Sequence, residues 1–247
     1  MKATITHKKK TFKVDLSKPL DISIPLSAKK NPLAWYIDPL TITPVQTEDW
    51  IGNVKKGGDV NFNTITFNPH AHGTHTETAG HITEKIHSIN ACLTQFFFIA
   101  ELITVAPEVR GELFVISRKQ LLYLLDGKKP EALVIRTIPN TRDKKTKNWS
   151  HTNWPFISES GMKQLRQLGI KHVLIDLPSV DPEKDDGYLL SHHAFWNLPE
   201  KPRLDATITE MIYVPHSIND GSYLLNLQIA SFENDASPSK PVLYAIE

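Results

Sequence analysis

The 247-residue chain has a single cysteine, Cys92, so it cannot form an internal disulfide. This excludes a disulfide-stapled scaffold and fits a reducing compartment. An excess of one charge is also missing, because 28 Lys and Arg face 27 Asp and Glu and leave a net charge of +1. Without a basic field or a nucleic-acid-binding motif, nucleic acid is not an expected partner. Long apolar runs are absent too. The longest, Phe96 to Ala100, is strand-sized, against the roughly 20 residues of a membrane helix, so no membrane partner is expected. The basic stretch MKATITHKKKTFKVDL has no apolar segment after it, so a signal peptide is not expected and a cytoplasmic location is. There are no repeats and no low-complexity tracts. Two catalytic signatures are missing as well: the HExxH of zinc peptidases and the G-x-S-x-G elbow of serine hydrolases.

What is present reads as one α/β domain over residues 1–247, a single domain with a mixed sheet-rich core and a few helices. A 40% hydrophobic content at this length is enough to bury a core. The 17 prolines are dispersed, so none marks a linker. The segments LDISIPL, QFFFIAELITV, EALVIRTI, KHVLIDL, ITEMIYV, SYLLNLQIASF and PVLYAIE are predicted strands, rich in branched and aromatic residues. SRKQLLYLLDG is a predicted helix from an N-cap at Ser117 to Gly127. SESGMKQLRQLG is a second, capped by Ser158, with Met162, Leu165 and Leu168 on one face. It leads directly into the strand beginning at His172, which makes an αβ unit. The lysine groups Lys8 to Lys10 and Lys144 to Lys147 read as solvated loops.

The eleven histidines are unevenly spread. Five of them, His70, His72, His75, His81 and His87, fall in one short stretch with Glu77. Imidazole nitrogens and an ionised carboxylate are what a divalent metal takes as ligands. In an extended segment side chains alternate faces, so His75, Glu77 and His81, which share parity, are expected to converge. Gly73 gives the backbone freedom to turn just before them. For any one of these residues alone, a polar surface role is the simpler reading, and the three together favour a metal or catalytic site.

At these residues the chain resembles a family. HGTHTETAGH is similar to the H-x-G-T-H-x-D-x-P-x-H signature of the metal-dependent cyclase family, which includes bacterial kynurenine formamidase and isatin hydrolase. VDLSKPL, VIRTIPN, IDLPSVD, and LLSHHAFWN followed by ITEMI resemble further family segments, in family order. The resemblance implies the family's swivelling β/β/α fold, a Zn²⁺ or Mn²⁺ cofactor, a small-molecule amide, formamide or lactam as substrate, and a homodimer or homotetramer. It implies metal ligation by His75, Glu77, His192 and Glu210, with His193 as the alternative to His192. It implies His81 as general acid or base. Asp176, Ser179 and Asp181 would orient ligands from the end of a strand, although such residues also make turns in their own right.

The chain departs from the signature in three places. The first histidine falls at Ala71, which offers no ligand atom, and His70 and His72 on either side have the wrong parity for a regular strand. A local bulge is expected to bring one in, with His70 preferred. Glu77 stands in place of an aspartate and reaches farther by about 1.5 Å. Ala79 stands in place of a proline. Trp35, Tyr36, Trp149, Trp154 and Trp196 lie outside the apolar runs and suggest an aryl-binding pocket, though tryptophans so placed more often pack loops. The competing function is a non-catalytic metal- or small-molecule-binding member of the same fold.

Overall fold

Strands in this chain form where branched and aromatic residues cluster between turn residues. A computed structural model describes residues 1–247. An N-terminal hairpin pairs β1 (Lys2–His7) with β2 (Lys10–Asp15), through a two-residue turn with positive φ at Lys8 and Lys9. Then come β3 (Leu20–Asp21) and a second hairpin of β4 (Thr41–Pro44) and β5 (Asn63–Thr66). The helical turn α1 (Pro69–His72) leads into β6 (His75–Glu77), and a 3-10 turn, Ala79–Ile82, follows. Next are α2 (Ile89–Cys92), β7 (Phe97–Val105), β8 (Glu108–Arg110), β9 (Leu113–Ile116) and α3 (Arg118–Leu125). The chain goes on through β10 (Ala132–Thr137), β11 (Phe156–Ile157), α4 (Glu159–Gln167) and β12 (His172–Ile175). It ends with α5 (Leu190–Trp196), β13 (Thr207–Glu210), β14 (Gly221–Ile229) and β15 (Ala236–Ala245).

The main sheet runs β14-β7-β10-β12-β13-β6-β15, and β15 pairs back onto β14, so seven strands close into a barrel-like ring. Strands β7, β10, β12 and β13 are parallel, and the crossovers between them carry α3, α4 and α5 in turn. Parallel neighbours need such long connections, which is why the helices sit in this part of the ring. Both predicted helices form, and side chains cap them as expected. Ser117 and Gln120 make a capping box on α3, and Ser158 accepts from the Gly161 N–H on α4.

Strand parity sorts the core into two layers. Leu133 and Ile135 of β10 and Val173 and Ile175 of β12 pack outward with Leu121, Met162, Leu165 and Phe195 of the helices. Ala132, Val134 and Leu174 point the other way and fill the ring with Leu102, Leu225 and Leu243. Ile208 of β13 belongs to the outer layer and is the register partner of Glu77, while Glu210 is the partner of His75. Side chains of like parity share a face, so His75, Glu77 and Glu210 all lie on the helix-facing side of the ring.

The LDISIPL segment departs from its predicted strand. Only Leu20 and Asp21 enter the ladder, against Leu243 and Val242. The alternation still sets burial, since Ile22 and Ile24 are buried and Pro25 is exposed. Pro25 has no N–H to donate, and Ile24 donates instead to the Thr74 hydroxyl at 2.8 Å. No helix of the protein is long and apolar enough to cross a membrane.

Candidate metal centre

His75 and Glu77 stand on β6, in the middle of the ring, with no solvent exposure. Gly73 sets the approach. Its φ of 155° lies in a region open essentially to glycine alone, and it ends α1 and turns the chain into β6. The Gly73 carbonyl then accepts from His75 Nδ1 at 2.9 Å. That bond leaves Nε2 as the free ring nitrogen, and it points to Glu210 Oε2 at 3.3 Å. Glu210 is fixed in turn by the Val180 N–H, which donates to Oε1 at 3.0 Å.

Glu77 is the hub of the cluster. Its Oε1 lies 3.1 Å from His192 Nε2, and its Oε2 lies 3.0 Å from His70 Nδ1 and 3.9 Å from His81 Nε2. Burial works against the Glu77 carboxylate, but the charge of His81, the hydrogen bond from His192 and the nearby His70 ring outweigh it and hold Glu77 well below the ordinary carboxylate range. His192 is the mirror case. Burial opposes its charged form, yet Asp181 and Glu77 raise it well above the usual histidine value. For His70 the same competition ends with a pKa pushed up to about 10, chiefly through Asp235 and Glu77.

Position 70 is filled without the expected β-bulge. Residues 69–72 coil into the helical turn α1, with Pro69 at its first position and the Asn68 side chain accepting from the His70 N–H. The coil takes His70 off strand parity and swings it over Glu77. His72 is committed elsewhere, with Nδ1 accepting from the Asn68 N–H and Nε2 donating to the Asp38 carbonyl. His81 also departs from the extended path. Its backbone lies in the 3-10 turn at Ala79–Ile82, and that turn carries the ring back over Glu77. Gly80 makes this possible, since a Cβ there would come within 2.5 Å of the His87 carbonyl oxygen. The His81 side chain is 32% exposed, the most open of the group, and its ring stacks on His70 at 4.1 Å.

The turn after β12 does less than the sequence reading assigned to it. Asp181 touches a candidate ligand directly, with Oδ2 accepting from His192 Nδ1 at 2.5 Å while its carboxylate also caps the first N–H groups of α5. Ser179 accepts from the Asp181 N–H. Asp176 lies apart. It is bound by Thr137 and by Lys144 Nζ at 2.8 Å, and it contacts none of the cluster. Lys144 is accordingly buried, contrary to its reading as a solvated loop lysine, because Asp176 and the Thr137 carbonyl take its charge. His193 follows His192 on α5 and is turned by about 100°, and it makes no hydrogen bond or ion pair with the cluster. Trp35 packs edge-on against Trp154 at 4.9 Å. Trp149, Trp154 and Trp196 are buried in the core, and Trp154 and Trp196 donate their indole N–H to backbone carbonyls. They pack the fold and do not line an aryl pocket.

One residue of the cluster was missed. Asp235, just before β15, lies 2.8 Å from His70 Nε2 and 3.3 Å from His81 Nδ1. It stands 165 positions from His70, in a polar loop that carries no motif.

The donor set suits a divalent metal. The groups His70, His75, Glu77 and Glu77, His192, Glu210 each bring one ligand atom within 4.8 Å of the others. Two of these atoms, His75 Nε2 and Glu77 Oε2, are buried without any hydrogen-bond partner. Buried polar atoms are nearly always paired, so two orphans aimed into one cluster of imidazoles and carboxylates are what metal ligands look like without their metal.

In sequence, residues 14–182 match the Cyclase family. No curated protein matches the chain. Among solved structures, the fold is similar to that of a protein from Bacillus stearothermophilus described as a predicted metal-dependent hydrolase, at 16% identity and a TM-score of 0.65, covering 92% of this chain and 98% of that one. It is also similar to isatin hydrolase A from Labrenzia aggregata, solved with benzyl benzoate, at 12% identity and a TM-score of 0.68, covering 93% and 94%. Isatin hydrolase A from Ralstonia solanacearum gives 12% and 0.64, covering 92% of each chain. At these identities the structural likeness is one of fold, and the match in sequence, which spans most of the chain, supplies the family: the protein belongs to the Cyclase family.

Proposed function

We propose that this protein is a metal-dependent hydrolase of a small amide, formamide or lactam, acting in the manner of kynurenine formamidase. The observation that carries the reading is the pair of orphaned, fully buried ligand atoms, His75 Nε2 and Glu77 Oε2, inside a ring of three further metal-binding side chains. His70, His75 and Glu77 would hold Zn²⁺ or Mn²⁺ on one side, and His192 and Glu210 would hold it on the other. A divalent cation bound there acts as a Lewis acid and lowers the pKa of water from 15.7 toward about 7.

The chain's own groups supply the rest. His75 is held with Nε2 turned inward by its Nδ1–H bond to the Gly73 carbonyl, and His192 is aimed by Asp181. Val180 keeps Glu210 turned toward the centre. His81 is the acid/base. Its Nε2 faces the centre, and its ring is open enough to meet a substrate and pass a proton to the leaving nitrogen. The same reading expects a small-molecule partner, a homodimer or homotetramer, and a cytoplasmic location.

Elemental analysis of the purified protein, followed by hydrolysis assays on an N-formyl arylamine and an isatin-type lactam, tests the proposal. The metal-loaded wild type hydrolyses at least one of them, and His81→Ala lowers kcat by about 10²–10⁴-fold with metal content unchanged. Full metal loading without hydrolysis of any amide, lactam or lactone would favour the non-catalytic binding protein instead.

A further inference from the structure

Asp235 enters the cluster because of the sheet's register. Ala236, the first residue of β15, is the partner of Glu77, so the residue before it is set beside Thr78. The Thr78 N–H donates to the Asp235 carbonyl at 3.1 Å, and the Ile89 N–H donates to the Asn234 carbonyl at 2.7 Å. Asn90 Nδ2 adds a bond to Glu233 Oε1 at 2.7 Å. The loop is therefore pinned to the segment that carries His81, and the Asp235 side chain is held over two imidazoles.

The contacts are paired. One carboxylate oxygen, Oδ2, meets His70 at Nε2, 2.8 Å away, and meets His81 at Nδ1, 3.3 Å away. Each ring then presents its other nitrogen to the same atom, Glu77 Oε2, at 3.0 Å from His70 Nδ1 and 3.9 Å from His81 Nε2. A histidine that ligates metal is normally held by a carboxylate or carbonyl at its second nitrogen, which sets both its tautomer and its direction.

We propose that Asp235 is the positioning residue that makes His70 a metal ligand in place of the one missing at Ala71. The inference rests on the reading that this cluster holds a metal ion. His70 arrives from a short helical turn and not from the rigid strand that carries His75, and its side chain is 18% exposed. Nothing else holds its Nε2. The Asp235 carboxylate fixes the ring so that Nδ1 faces inward, and with the same oxygen it sets the stack of His81 on His70.

Zinc affinity of the metal-stripped full chain tests this, measured by competition with a chromophoric chelator. The proteins compared are the wild type, Asp235→Ala, His70→Ala and the double variant. Asp235→Ala alone weakens zinc binding by about 10–100-fold. Adding Asp235→Ala to His70→Ala costs less than about threefold, because the residue through which Asp235 acts is already gone. No loss in the single variant, or an equal loss in both backgrounds, overturns the proposal. Melting in excess chelator shows whether each variant folds, and Asp235→Asn, which keeps the side-chain shape, replaces the alanine variant if that one does not. A wild type that binds neither zinc nor manganese removes the proposed function and this inference with it, whereas a metal-binding wild type with unaffected Asp235 variants removes this inference alone.

Discussion

Two carboxylates buried on neighbouring parts of the ring, Asp176 after β12 and Glu77 on β6, are satisfied in opposite ways. Asp176 accepts from the Thr137 N–H and hydroxyl and from Lys144 Nζ, and Lys144 spends its remaining capacity on the Thr137 carbonyl and hydroxyl. Burial still pushes the Asp176 carboxyl up, with the Lys144 charge opposing it. Glu77 has no lysine or arginine beside it. Its neighbours are three imidazoles, and its Oε2 is left without a hydrogen bond. A permanent cation closes the first site and gives it a structural role. The second is built of groups that bind a metal only after losing protons, and it leaves atoms exposed to one another that a metal would join.

Swapping the damage between the two sites should separate binding from stability. Glu77→Ala removes the hub and weakens zinc binding by more than the ~100-fold that the loss of a ligand's supporting contact costs. Lys144→Met does the reverse. It leaves the Asp176 charge buried without its partner and lowers unfolding free energy by about 3–5 kcal/mol, less if Asp176 takes up a proton, with zinc affinity unchanged. Urea unfolding in chelator and chelator competition, run on both variants, read the two effects. If Lys144→Met weakened zinc binding as much as Glu77→Ala, the sites would be one network and the contrast would fail.

The same contrast explains what could be read in the sequence. The long strands of the ring and the two longest helices are legible because their signals are local: branched residues between turns, a serine before a periodic apolar stripe. His75 and Glu77 were legible because two residues of a strand share a face whatever the rest of the chain does. For His70 the sequence points to the right neighbourhood with the wrong backbone, since a bulge and a helical turn both break strand parity and only the Asn68 cap and Pro69 distinguish them. His81 reached the cluster by a 3-10 turn although its spacing suited a strand. Asp235 could not be found, because its place depends on how β15 registers against β6, a pairing with no mark in either segment. The tryptophans follow the packing reading over the aryl-pocket one, with Trp149, Trp154 and Trp196 buried in the core and Trp35 against Trp154.

A second histidine comparison is sharper in its dependence on pH. His172 is buried on β12 against Phe98, its Nδ1 bonded to the Thr207 hydroxyl, with no acid in contact. Burial, helped by the Lys171 charge, lowers its pKa to about 3, while His192 and His70 lie above the ordinary value. Their signs differ. The contribution of His192 and His70 is present below the unfolded value near 6.5 and is lost as pH rises through their folded values. The contribution of His172 is present above about 6.5 and is lost as pH falls toward 3, because the unfolded chain takes up a proton that the folded one refuses. At pH 5 the His172 share of the loss is about 2 kcal/mol. His172→Asn cannot titrate, so between pH 7 and pH 5 its unfolding free energy should fall by about 2 kcal/mol less than that of the wild type. Parallel urea curves for the two proteins would mean that His172 already titrates normally in the folded state.

The smallest effect distinguishes two residues that are adjacent in sequence. The resemblance assigns the family's late histidine to His192 with His193 as the alternative, and the helix decides between them. One step along α5 rotates the side chain by about 100°. Because Asp181 caps α5 and binds His192 at the same time, the rotation of the helix is fixed and His192 is the ring that faces Glu77. His193→Ala should therefore leave zinc affinity where it was and change unfolding free energy by no more than about 0.5 kcal/mol, as expected of a half-exposed residue without a special contact. His192→Ala, measured beside it, should lose zinc affinity. The opposite outcome would require α5 to sit one residue out of phase, which would carry Asp181 away from the cluster and leave Glu77 without the partner that its Oε1 now has.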